Sequence, residues 1–163
     1  MITVIFLKDS LSFLRIINVN INTYKYMENT KKMSPVVHFE MPYQDKKRMA
    51  DFYAKLFGWE AQFFGEDMAN YVLVTTSELD KNNMPKKPGS INGGFYEKTK
   101  DHSADHPSVV IAVGDIKDSI ENIKKEGGKV LSEPMDIPGY GLYASFIDTE
   151  GNRVGMMEPY MKM

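Results

Sequence analysis

The sequence predicts an α+β fold, with two βαβββ modules forming a cupped mixed sheet and the helices on its convex side. Three observations predict it. From Ser34 onward the chain repeats itself weakly. Each copy opens with a short apolar run that ends at an Asp, and an amphipathic helix follows. The same offset of 70 residues separates the two helix starts, Asp45 and Asp115, and the two helix stops, Gly58 and Gly128.

The elements follow in order. Pro35–Asp45 reads as the first strand running into an N-cap Asp. Asp45–Phe57 carries Met49, Phe52, Tyr53 and Leu56 at helical spacing and stops at Gly58. Trp59–Phe64, Tyr71–Thr75 and Ile91–Tyr96 are strand candidates, separated by Gly65-Glu66-Asp67 and the long loop Ser77–Ser90. Asp105–Asp115 repeats the opening. Asp115–Glu126 repeats the helix, with Ile116, Ile120 and Ile123 on one face, stopping at Gly127-Gly128. Lys129–Glu133, Leu142–Ile147 and Arg153–Met157 close the second copy. Module one spans about 35–97 and module two about 106–159, inside a domain of residues 34–160.

The chain has 163 residues, 42% hydrophobic and 26% charged, which suits one globular domain plus an appendage. A net charge of −2 lacks the basic face that phosphate neutralisation needs, so nucleic acid is not an expected partner. No apolar run approaches the ~20 residues of a membrane-spanning helix. Cysteine is absent, which removes disulfides, thiolate metal sites and cysteine nucleophiles, and fits a cytoplasmic location. Residues 1–33 read differently. Ile2–Leu7 is apolar but stops at Lys8-Asp9, without the longer run and cleavage site of a signal peptide. No helical or strand period persists there, so the segment reads as an extension with no assigned function, either a misassigned start or loosely ordered chain.

Five motifs carry a resemblance. They are Val36-Val-His-Phe-Glu-Met-Pro42, Asp51-Phe-Tyr-Ala-Lys-Leu-Phe-Gly-Trp59, Ile91-Asn-Gly-Gly94, Pro138-Gly-Tyr-Gly141 and Asp148-Thr-Glu-Gly-Asn-Arg-Val-Gly155. In this order they resemble the vicinal oxygen chelate superfamily, which holds glyoxalase, extradiol dioxygenases and the bleomycin resistance proteins. The nearest likeness is to its small bacterial glyoxalase-related proteins. The resemblance implies a ligand cleft on the concave sheet and a homodimer. In metal-dependent members, ligands come from the first and last strand of each module. His38 falls on the first such position. Ser108 falls on the second, and Gly155 stands where the family's enzymes carry Glu. Module one's last strand offers Asn92, Gly93 and Gly94. One metal-ligand position of four, His38, is retained, so a divalent metal is disfavoured and no cofactor is named.

A strand alternates faces, so His38 and Glu40 point the same way. They are the candidate catalytic pair, for proton transfer on a small oxygenated metabolite. Asn92, Ser108, Tyr140 and Tyr143 are candidate substrate-binding residues, with Pro138–Gly141 as a lip over the cleft. The glycine pair at Gly93-Gly94 lacks the spacing of a phosphate loop and reads as allowing close backbone approach. His102 and His106 read as loop residues, and Glu158, out of phase with Gly155, as a rim or interface residue. Two rivals stay open. One is a metal-free binding or sequestering protein of the bleomycin-resistance type. The other is a partner protein whose cup is filled by its own side chains.

Overall fold

The computed structural model describes residues 33–98 and 105–160. Most of the expected extension and His102 lie outside the described residues. From Ser34 to Tyr160 the described chain belongs to one compact unit. It contains nine strands: β1 (Val36–Tyr43), β2 (Glu60–Phe63), β3 (Val72–Thr75), β4 (Asn92–Glu97), β5 (Ser108–Ala112), β6 (Lys129–Val130), β7 (Met135–Ile137), β8 (Gly141–Ile147) and β9 (Arg153–Pro159). Two helices accompany them, α1 (Lys46–Phe57) and α2 (Ile116–Lys125).

The strands form one mixed sheet in the order β2-β3-β4-β1-β5-β9-β8-β6, with β7 paired to β8. The order reads the same from both ends: β1 and β5 lie side by side, antiparallel, at the centre. Each has its module's last strand parallel to it on the outer side, β4 beside β1 and β9 beside β5. A register shift between Val36 and His38 bends β1 just before the candidate site.

Sequence alternation decides which side is packed. Phe39, Met41 and Tyr43 of β1, with Phe95 of β4 and Val72 and Val74 of β3, form an apolar core with Met49 and Tyr53 of α1 and with Trp59. Ring pairs tie it together, Tyr53 stacking on Trp59 at 4.8 Å and meeting Phe95 at 5.5 Å. The core of module two is aliphatic instead: Ile116 and Ile120 of α2 pack on Ala144 of β8 and Met156 of β9. Each such buried side chain contributes about 1.5–3 kcal/mol. Asp45 and Asp115 are the N-caps, accepting from the amides of Arg48 and Asp118. Gly58 ends α1 with φ 69°, a conformation that favours glycine.

Two expectations need correction. α2 ends at Lys125, and its left-handed glycine is Gly127 (φ 89°), one residue earlier than the 70-residue offset places it. The strand expected over Lys129–Glu133 stops at Val130, and an unforeseen strand, β7, follows at Met135–Ile137. Pro134 between them has no N–H to offer the ladder.

Candidate functional site

Four side chains on the face opposite the helices form a block at the sheet's centre. Across β1 and β5, His38 faces Val110 and Glu40 faces Ser108. On β4, Asn92 lies beside His38 and Gly94 beside Glu40. On β9, Gly155 lies beside Val110. The expected common face for His38 and Glu40 is thus present, and Ser108 shares it.

Two tyrosines close the block. Tyr71, just before β3, places its hydroxyl 2.9 Å from His38 Nε2. Tyr143 of β8 donates its hydroxyl to Glu40 Oε2 at 2.9 Å. Glycine is what admits them. A Cβ at Gly94 would overlap the hydroxyl end of the Tyr71 side chain, and one at Gly155 would come to 3.0 Å from the Tyr143 side chain and from Val110. Gly93 does the same on the opposite face, where the Phe39 ring lies over it. The glycine pair therefore makes room for neighbouring rings on both faces of β4, where the sequence suggests backbone approach.

The electrostatics follow from burial. His38 is held neutral, its pKa pushed down to about 4 by desolvation. Burial pushes the Glu40 carboxyl up. The Tyr143 hydrogen bond, the Arg153 charge and the nearby Ser108 hydroxyl oppose that rise in part. Burial also raises Tyr71 and Tyr143, with the Glu40 charge adding to both. Ser108 Oγ is buried and has no hydrogen bond of good geometry. Arg153, two residues before Gly155, reaches over the Tyr96 ring at 5.5 Å.

The other candidates spread out. Asn92 Oδ1 accepts from the Thr76 amide at 3.2 Å and anchors the end of the long loop. Tyr140 is 47% exposed in the turn before β8, close enough for its hydroxyl to act electrostatically on Tyr71. His106 is exposed, and its carbonyl accepts from the Tyr96 hydroxyl. Glu158 does not sit on the rim: its carboxylate accepts from the Ile116 amide at 2.9 Å and caps α2. Tyr71 and Arg153 are the residues that sequence reasoning missed. A surface groove of about 410 Å³ lies beside the start of α1, lined by Tyr43, Arg48, Phe52 and Lys98 among others. Its lining includes none of the candidate residues on the opposite face of the sheet.

This arrangement decides the metal question on its donors. His38, Ser108, Gly94 and Gly155 occupy the ligand-bearing strands. Among the described residues no three His, Asp or Glu side chains gather in reach of one ion. The residues present do not fit the family's divalent metal site. Residues 36–156 match the family described as the Glyoxalase/Bleomycin resistance protein/Dioxygenase superfamily. The chain belongs to that superfamily. A "Glyoxylase-like domain-containing protein" of Didymella fabae is 32% identical over 116 residues, covering 69% of this chain and 84% of that protein. Among solved structures, a Streptomyces coelicolor methylmalonyl-CoA epimerase variant in complex with 2-nitronate-propionyl-CoA aligns with TM-score 0.59 and 12% identity, over 80% of this chain and all of the other. A Vibrio splendidus 12B01 glyoxalase/bleomycin resistance protein/dioxygenase superfamily member aligns with TM-score 0.51 and 12% identity, over 77% and 99%. At such identities these structures establish the shared superfamily fold. No helix among the described residues is long and apolar enough to cross a membrane.

Proposed function

We propose that residues 34–160 form a paired-module domain that binds a small oxygenated metabolite on the concave face and moves a proton on it. Glu40 is the base, and neutral His38 is a polar contact for the substrate. One observation carries the reading. Glu40 is a buried carboxylate whose hydrogen-bond partner is a neutral hydroxyl, with its basicity raised by burial. A carboxylate in that setting is a better base than one in water. The methylmalonyl-CoA epimerases among the similar folds lend support, since epimerising a carbon beside a carbonyl is proton removal and return. In this reading the domain works as a cytoplasmic homodimer, and residues 1–33 are an extension to it.

A second reading is favoured by a specific observation. Tyrosine rings stand over Gly94 and Gly155, on the last strands of the two modules, where metal-dependent relatives draw ligands. A metal-free binding protein of the bleomycin-resistance type needs no more than that.

One experiment separates the readings. The full chain is incubated in D2O with pyruvate or hydroxyacetone, with a chelator present, and hydrogen–deuterium exchange beside the carbonyl is followed by NMR. Exchange above the buffer rate, falling about 100-fold or more in Glu40→Gln, is expected of a general base. Binding of a probe without exchange supports the binder. Exchange that is indifferent to Glu40→Gln overturns the assignment of the base. Neither binding nor exchange leaves the filled-cup partner protein.

A further inference from the structure

The two tyrosines are related by register. Gly94 pairs with Glu40 as Gly155 pairs with Val110. Leu73 of β3 faces Gly94, and Ser145 of β8 faces Gly155. Tyr71 and Tyr143 each stand two residues before those partners, so each lies diagonally over its module's glycine. Both hydroxyls reach the titratable residues of β1.

We propose that Tyr71 and Tyr143 are a further pair of catalytic residues, whose hydroxyls receive the oxygen of an enolising carbonyl substrate. The proposal rests on the reading of Glu40 as base and adds the group that stabilises the other half of the charge. When Glu40 removes a proton from carbon, the C–H bond breaks and an O–H bond forms on Glu40. The electron pair of the C–H bond moves onto the carbonyl oxygen. That oxygen needs donors, and a Lewis-acid metal fits poorly here because the donor set does not fit one. Hydroxyls aimed at the place where charge develops do the same work electrostatically. Both tyrosines stay protonated in this buried setting, so they donate hydrogen bonds and do not transfer protons.

The resting contacts make the pair a switch. Tyr143 donates to Glu40 before substrate arrives and so favours the carboxylate's charged form. A substrate oxygen that takes this hydroxyl removes that support, and Glu40 becomes more basic as the oxyanion site forms. Tyr71, shared with neutral His38, supplies the second hydroxyl. Val110, opposite His38, is a fully buried apolar neighbour of the block, so the residues that meet the substrate are the polar ones. The substrate class is therefore a compact carbonyl compound with an acidic C–H beside the carbonyl.

The test uses a mimic of the enolate. Propane-2-nitronate is a planar anion with its charge on two oxygens, and neutral 2-nitropropane is its matched control. Binding of each to the full chain is measured by calorimetry at a pH where the nitronate persists. The wild type is expected to prefer the anion by tenfold or more. Tyr71→Phe and Tyr143→Phe should each lower the anion-to-neutral ratio about tenfold, and Glu40→Gln should keep or raise it by removing a like charge. If either Phe variant fails to fold, Gly155→Ala gives a second way to displace Tyr143 and should lower the ratio severalfold. No anion preference in the wild type, or a ratio unchanged in the tyrosine variants, overturns the proposal. Loss of exchange in Glu40→Gln alongside an unchanged ratio removes the tyrosine pair and leaves the base standing. A tyrosine-dependent ratio with exchange indifferent to Glu40→Gln removes the base instead.

Discussion

Module one and module two share a topology and divide the labour. At matched register, module one holds His38 and Glu40 where module two holds Ser108 and Val110. Both keep a glycine on the last strand with a tyrosine over it, Gly94 with Tyr71 and Gly155 with Tyr143. Both keep a fully buried residue next to that glycine, Phe95 in one and Met156 in the other. Packing positions tolerate exchange within a class, because a core needs apolar volume more than a given residue. The central block has no such latitude. Of the two central strands, β1 carries the ionisable groups, and β5 contributes a small hydroxyl and a fully buried valine. The scaffold is present twice, while of the four central residues the two whose titration is shifted, His38 and Glu40, both belong to module one.

The largest expected effect tests whether the two cores are energetically equivalent. Phe95→Ala removes a fully buried ring that meets Tyr53, and Met156→Ala removes a fully buried flexible chain among aliphatic neighbours. Costs of about 4 and about 3 kcal/mol are expected from urea unfolding. A larger loss for Met156→Ala would break the comparison by placing the tighter core in module two.

The next effect separates the two halves of the central block by pH. His38 has its folded pKa pushed down to about 4 by burial, so the unfolded chain takes up this proton first as pH falls. Its share of stability is present above pH ~6.5 and is lost toward pH ~4, on the order of 2–3 kcal/mol. Glu40 runs the other way. Its folded pKa is raised, so the folded chain takes up the proton first, and acidification relieves a buried charge. His38→Gln should therefore flatten the acid loss of stability. Glu40→Gln should be more stable than wild type at pH 7, with the advantage gone below pH ~4. Val110→Ala should leave the shape of the profile unchanged, and Ser108→Ala should shift it only through Glu40, whose rise the hydroxyl opposes in part. Stability measured by denaturant at successive pH values checks all four. A profile that responds to the β5 variants and not to the β1 variants would contradict the division of labour.

This asymmetry also explains how much the sequence disclosed. His38 and Glu40 were legible together because strand alternation is strict and both lie on one uninterrupted run. Tyr143 was legible because it sits inside a strand pattern beside a turn. Its counterpart Tyr71 was hidden. The offset of 70 that links the helix starts is already 72 between Tyr71 and Tyr143, and beyond the loop Ser77–Ser90 it is only 61 between Gly94 and Gly155. Matching them takes the hydrogen-bond register, which depends on long-range pairing. Arg153 escaped for a similar reason: its reach to Tyr96 crosses between modules. The phase of its strand turns Glu158 away from the cup, but the amide it caps on α2 lies 42 residues away in sequence, so its role is not legible locally.

Glu158 leads to the smallest effect, at the helix starts. Asp45 and Asp115 cap α1 and α2 alike, each accepting a backbone amide at 2.9 Å. Among the described contacts, only α2 has a second carboxylate at its first amide, Glu158 on Ile116. Register makes Glu97 the counterpart of Glu158 in module one, since each stands three residues beyond its glycine. Both helix starts carry the positive end of a dipole, so a carboxylate there helps electrostatically as well as by its hydrogen bond. Losing Asp45 leaves α1 without a side-chain acceptor of this kind among the described contacts, whereas losing Asp115 leaves α2 with Glu158 in place. Asp45→Ala is expected to cost about 1 kcal/mol and Asp115→Ala about half that. Glu158→Gln, which keeps an acceptor and removes the charge, should raise the cost of Asp115→Ala toward that of Asp45→Ala. Unfolding midpoints of the single and double variants decide it. Equal costs for the two Asp variants in the wild-type background would mean that the amide hydrogen bond alone sets the cap's strength and that the Glu158 charge adds nothing.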